Sequence, residues 1–127
     1  MEIIAIITVV ALLEYMVFSF QVGAARGKYD VPAPATTGNE IFERLNRVQQ
    51  NTLEQLIVFL PTLWIFALHT SVTGAAILGT LFIIGRAIYA ITYVADPAKR
   101  SAGFILGFLA NAVLLLGGLY GATKDLL

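Results

Sequence analysis

The chain has 127 residues, of which 58% are hydrophobic and only 13% charged, and eight basic residues balance eight acidic ones. Zero net charge with no basic run argues against a nucleic-acid partner. Cysteine is absent, which excludes disulfides, thiolate metal sites and a cysteine nucleophile, and one histidine leaves too little for a His-rich metal centre. No metal is expected, and any thiol chemistry must use a bound thiol.

A soluble domain carries about 25% charged residues. The deficit here comes from four apolar runs, residues 3–22, 53–72, 74–94 and 102–119. Each is close to the roughly 20 residues that cross about 30 Å of hydrocarbon. The sequence therefore predicts an all-α integral membrane four-helix bundle, one domain over residues 1–127, with helices at about 3–25, 39–70, 74–95 and 97–123.

The first run follows Glu2 rather than a basic segment and exceeds a typical signal-peptide core, so it reads as a retained span. Glu14 falls in its middle, a costly place for a carboxylate. The first reading of Glu14 is structural, either protonated or paired. In the connection that follows, two prolines and a glycine within residues 31–38 exclude regular helix. Thr37 with Glu40 three residues on fits a capping box that opens helix 2.

Helix 2 would then extend about 45 Å, so its first third projects beyond the hydrocarbon. Pro61 inside it predicts a kink. Arg47, Asn51 and Glu54 are spaced i, i+4 and i+7, which aligns a cation, an amide and a carboxylate on one stripe at the membrane edge. Gln49 adds a second amide. Trp64 is expected to face lipid or pack, and His69 to lie at the opposite surface with no specific role.

Residues 71–74 form a tight uncharged turn into helix 3. That helix carries Arg86, Tyr89 and Tyr93 at i, i+3 and i+7. An arginine this far into an apolar helix calls for a partner, either a ligand or an ion pair with Glu54 or Glu14. Asp96-Pro97 reads as an N-cap with proline at the first helical position, which puts Arg100 in the first turn of helix 4. There the helix dipole and the guanidinium both favour an anion. Gly103 and Gly107 form a G-x-x-x-G that predicts close helix packing.

Arg26, Lys28, Arg44 and Arg47 cluster around the first connection and Lys99 and Arg100 in the third. The positive-inside rule assigns both connections to the cytoplasm, together with the two polar stripes. These groups suit a small, flexible, multiply charged ligand. Arginines pair with carboxylates, Glu54 takes an ammonium, and Asn51 and Gln49 bond peptide amides. A cation at a helix start stabilises a thiolate. A γ-glutamyl tripeptide thiol fits this inventory, and so does a lipid headgroup.

The segment F-E-R-L-N-R-V-Q-Q-N-T-L-E, residues 42–54, closely resembles the helix-2 signature of the MAPEG superfamily, the membrane-associated proteins of eicosanoid and glutathione metabolism. That signature is roughly E-R-x-x-R-x-Q-x-N-x-x-E. The resemblance continues through Thr62-Leu63-Trp64, the spacing of Arg86, Tyr89 and Tyr93, and Arg100. It implies glutathione held by Arg47, Gln49, Asn51 and Glu54 from helix 2, by Arg86, Tyr89 and Tyr93 from helix 3, and by Arg26 at the end of helix 1. Arg100 is implied as the catalytic thiolate stabiliser, with Tyr93 as a hydroxyl donor to sulfur. It further implies a homotrimer binding glutathione between neighbouring subunits, with a lipophilic electrophile or lipid hydroperoxide entering from membrane lipid. The expected function is a glutathione transferase or peroxidase in a bacterial inner membrane, with its site on the cytoplasmic side.

Two departures stand out. Gln55, Leu56 and Ile57 occupy positions where family members carry an aromatic pair and then proline, and Pro61 arrives a turn later. Arg26 is followed by Gly27, where the leukotriene branch has two basic residues. Both point away from the eicosanoid branch. Two other readings are a non-enzymatic lipid-binding or scaffold member of the same superfamily and, more distantly, a small multidrug-type efflux protein built on Glu14.

Overall fold

The structure is a computed structural model describing residues 1–127. Four α-helices account for most of it: α1 (Glu2–Lys28), α2 (Glu40–His69), α3 (Val72–Ala95) and α4 (Ser101–Leu126), with a 3-10 turn at Pro97–Lys99 before α4. α2 and α3 form the middle of the bundle, and α1 and α4 each pack on both of them. Each helix is long and apolar enough to cross a membrane. Large apolar side chains such as Phe20, Ile57, Ile91 and Leu116 point outward. In hydrocarbon every backbone polar group must be satisfied within the segment, which long helices achieve. The chain is an integral membrane protein.

The core joins all four helices through Ile4, Phe59, Leu63, Phe82 and Leu114. The rings of Phe59 and Phe82 stack with centroids 3.9 Å apart. α3 and α4 approach most closely at Gly85 and Gly103. A Cβ on Gly103 would lie 2.7 Å from Tyr89 Cα and 2.9 Å from Gly85 O, so only glycine fits. A Cβ on Gly107 would stand 3.7 Å from Arg86 Cδ, an ordinary contact. The two glycines of the G-x-x-x-G thus differ: the first seats backbone on backbone, and the second leaves width for a long side chain.

Several helix ends differ from the sequence expectation. Asn39, not Thr37, caps α2, and its side-chain oxygen accepts from Phe42 N at 3.0 Å. The carboxylate that reaches back is that of Glu43, which accepts from Gly38 N at 3.2 Å, rather than that of Glu40. Gly38 has a φ of 136°, and this turn delays the helix by two residues. Glu40 is left to pair with Arg44. Asp96 Oδ1 does accept from Ala98 N, at 3.1 Å, but the element it caps is the 3-10 turn. A bond from Lys99 N to Asp96 O closes that turn. α4 starts only at Ser101, so Arg100 stands at its cap position and not in its first turn.

α2 continues through Pro61 to His69. The Thr62 hydroxyl donates to Val58 O at 2.7 Å and also reaches Phe59 O at 3.2 Å, giving acceptors around the proline a second donor. Trp64 Nε1 donates to Thr8 Oγ1 at 3.0 Å, which makes it a tie between α2 and α1. His69 also has a role: its Nδ1 lies 2.8 Å from Asp125 Oδ2 and joins the far ends of α2 and α4. At the other end Arg44 Nη1 donates to Val94 O at 3.0 Å, so the first and third connections share one end of the bundle.

The contrast between the glycines is testable. Gly103→Ala forces backbone apart and should destabilise the protein by about 1–3 kcal/mol. Gly107→Ala should stay within about 1 kcal/mol of the parent, because its added methyl finds room and favours helix. Thermal unfolding of the solubilised protein followed by circular dichroism distinguishes them, and equal losses would refute the assigned packing.

Candidate functional site

Six polar or aromatic side chains from three helices converge where α2, α3 and α4 meet at the end bearing the first and third connections. Arg47 and Asn51 from α2, Tyr89 and Tyr93 from α3, Arg100 at the start of α4 and Phe104 one turn on line a cavity of about 400 Å³. A second hollow of about 790 Å³ adjoins it. It shares Arg47 and Tyr93 and is walled by Glu40, Glu43, Arg44 and Gln50.

Helical spacing places the α2 groups. Arg47 and Asn51 lie one turn apart, and Arg47 Nη1 reaches Glu54 Oε1 at 3.4 Å two turns along the same stripe. Asn51 is buried, and its Oδ1 has no hydrogen-bond partner in the chain. A buried amide oxygen without a donor costs about 1–3 kcal/mol. In a cavity wall such an atom is set to accept from a ligand N–H.

α3 contributes an aromatic platform. Tyr89 stacks on Tyr93 with centroids 5.4 Å apart and meets Phe104 at 6.4 Å. Behind it lies Arg86, only 1% exposed. Its Nη2 donates to the buried Thr52 hydroxyl at 2.9 Å, and its guanidinium carbon sits 4.4 Å from the Tyr89 ring centroid. Of the two readings for its partner, the ion pair is not formed, since neither Glu14 nor Glu54 bonds to Arg86. The guanidinium points toward α2 and the gap beside Gly107, where a threonine hydroxyl and a π-face are the groups within reach. Arg86 therefore lies behind the cavity wall and not in it.

Arg100 brings charge to the α4 end. Its Nη1 donates to Pro97 O at 3.2 Å, and the side chain is exposed. The helix-start amides beyond it have no intrahelical partners, so positive potential from backbone and side chain coincides.

The remaining candidates lie elsewhere. Gln49 Nε2 donates to Ser19 Oγ at 3.0 Å, toward α1. Arg26 Nη1 donates to Ala35 O at 2.7 Å and to Val31 O at 3.3 Å, and its guanidinium covers the Phe42 ring at 4.7 Å. Both residues stand on the α1 side of α2, away from the cavity of their own chain. Sequence reasoning missed Phe104 and Thr52. Phe104 is one turn after Arg100, a spacing that marks it, but an aromatic residue in an apolar helix carries no signal by itself. Thr52 becomes visible only through its bond to Arg86.

The MAPEG family profile matches residues 4–120. An uncharacterized protein of Synechocystis sp. is 52% identical over 91% of this chain and 84% of its own length. Human microsomal glutathione S-transferase 2 is 36% identical over 98% of this chain and 84% of its length. Leukotriene C4 synthase of Cavia porcellus is 34% identical over 78% and 66%. With a profile match over nearly the whole chain and a relative 36% identical over 98% of it, the protein belongs to the MAPEG family.

Proposed function

We propose that the protein is a membrane-bound glutathione transferase in which the cavity of Arg47, Asn51, Tyr89, Tyr93 and Arg100 binds glutathione and stabilises its thiolate. Family membership and transferase relatives support glutathione-related transferase chemistry in general. The observation that carries the finer reading is the convergence of two guanidinium groups, a buried unpaired amide oxygen and two tyrosines on one cavity. Its volume falls within the range of about 300–1,000 Å³ typical of small-molecule sites.

In this reading Arg47 takes a glutathione carboxylate, and Glu54 beside it takes the ammonium. Asn51 Oδ1 accepts from a peptide N–H. Arg100 and the α4 start lower the energy of the thiolate, and the Tyr93 hydroxyl donates to sulfur. The thiol proton leaves to water. The thiolate then attacks the electrophilic carbon of a lipophilic substrate, forming the C–S bond while the displaced electron pair leaves with the departing group. Hydroperoxide reduction needs the same thiolate, which attacks the terminal peroxide oxygen, breaks the O–O bond and releases an alkoxide that takes a proton to become the alcohol. The glutathione sulfenic acid left behind is condensed by a second glutathione to the disulfide and water. The cytoplasmic side of a bacterial inner membrane is the proposed setting, on the grounds of the basic residues gathered at this end.

The site is further proposed to be shared within a homotrimer. Arg47 and Glu54 are each more than half exposed in the single chain, with Glu54 at the start of the apolar part of α2. Such groups are costly against lipid and call for protein cover. Arg26 and Gln49, turned away from their own cavity, would then serve that of a neighbour.

Replacing Arg100 by Ala should remove the ultraviolet thiolate absorbance of bound glutathione and lower kcat about 100- to 1,000-fold, with glutathione still bound. Arg100→Lys should recover part of both. Retained thiolate signal and turnover in Arg100→Ala would sink the catalytic assignment, and no glutathione binding at millimolar thiol would favour a scaffold. Asn51→Leu should weaken glutathione binding roughly tenfold or more through loss of the amide acceptor.

Mixed subunits test the sharing. Arg26→Ala and Arg100→Ala chains, each inactive alone, are co-expressed and purified as mixed trimers. If one chain completes its neighbour's cavity, some sites regain both arginines and activity returns. No recovery in verified mixed trimers would show that each site is built from one chain.

A further inference from the structure

A separate groove runs along the opposite side of α3. Glu14, Val17, Phe18 and Gln21 of α1 face Ala87, Ala90, Ile91 and Val94 of α3, with Val48 of α2 at the floor, around a cavity of about 550 Å³. All but two of its lining residues are apolar, and it opens outward past the exposed side chains of Val17 and Ile91. The small side chains of Ala87 and Ala90 create the space.

Glu14 gives this groove its chemistry. It sits near the centre of α1, about 20 Å along the helix from either end. Its Oε1 is buried and has no hydrogen-bond partner in the chain. Arg86, the other charged group on the facing helix at this depth, is bonded to Thr52 and stacked under Tyr89 and forms no ion pair with it. A carboxylate oxygen is a strong acceptor, and leaving it undonated in an apolar wall is costly.

From this geometry we infer a binding site for a lipophilic amine between α1 and α3, with Glu14 as the counter-ion and the apolar groove holding the hydrocarbon body. Charge complementarity selects this occupant. A phospholipid acyl chain fills the groove but supplies no donor, and its headgroup lies too far out to reach mid-helix. A lipophilic amine meets both requirements, since its ammonium donates to Glu14 and its body covers Val17, Phe18 and Ala90. The site is distinct from the thiol cavity, which opens on the other side of α3 through Tyr89 and Tyr93.

The test uses the full chain in phosphatidylcholine nanodiscs and two fluorescent probes of near-equal size, 1-pyrenemethylamine and the neutral 1-pyrenemethanol. Amine binding should be saturable and roughly thirtyfold or more tighter than alcohol binding, because a buried charge pair is lost in the alcohol. Glu14→Gln should erase that preference, Ala90→Phe should block the groove with the carboxylate intact, and saturating glutathione should not displace the amine. Equal binding of the two probes, retained binding in Ala90→Phe, or displacement by glutathione would each overturn the proposal. Should Glu14→Gln fail to fold, the probe ratio and Ala90→Phe decide it. Efficient disulfide cross-linking between subunits through Val17→Cys would instead assign the groove to a second copy and also overturn it.

Discussion

The membrane half of this structure turns on how a guanidinium is kept inside an apolar bundle. Arg86 is almost completely buried, and no carboxylate bonds to it directly. Two neighbours make that tolerable: the Thr52 hydroxyl accepts one N–H, and the Tyr89 ring faces the cation. One stands on α2 and the other a turn along α3, so the arginine ties these two helices together. Since Tyr89 both covers Arg86 and stacks on Tyr93, the same contact sets the aromatic wall of the cavity. A residue that resembles a ligand-binding arginine in sequence thus supports the site from behind.

What the sequence reveals follows from what each signal depends on. Apolar run length and the i, i+4 spacing depend on local geometry, so four spans and the Arg47–Asn51 stripe can be read directly. Helix ends depend on single turn residues. Thr37 and Asn39 both suit a cap, and the backbone turn at Gly38 decides between them. Partnerships across helices depend on rotation about each axis, which no spacing encodes. Glu14 and Glu54 were the side-chain partners that spacing and charge suggested for Arg86, and the bond falls instead to the uncharged Thr52. Charge attraction suggested the carboxylates, but the packing of α2 against α3 puts the hydroxyl within reach instead.

The same limit divides the predicted glutathione set. Arg47, Asn51, Tyr89, Tyr93 and Arg100 lie on surfaces that meet within one chain, whereas Arg26 and Gln49 lie across α2 from them. A linear motif lists residues in the order the ribosome joins them and says nothing of which helix face they occupy. Gln49 lies two residues from Arg47 and from Asn51, about 200° around the axis in each case. It cannot share their cavity while the helix is intact. Within the chain its amide instead bonds Ser19 of α1 and ties α2 to that helix.

α3 shows the complementary arrangement. Tyr89 and Ala90 are neighbours in sequence and open onto different cavities, one walled by arginines and tyrosines, the other by alanines and a lone carboxylate. Bulk on one face and its absence on the other produce both. The aromatic rings close the polar cavity against hydrocarbon, which preserves the strength of charge interactions inside it. The alanines leave a channel open toward the bilayer, where an apolar molecule arrives already concentrated by partitioning. A single helix therefore separates a site suited to a water-soluble anion from one suited to a membrane-dissolved cation.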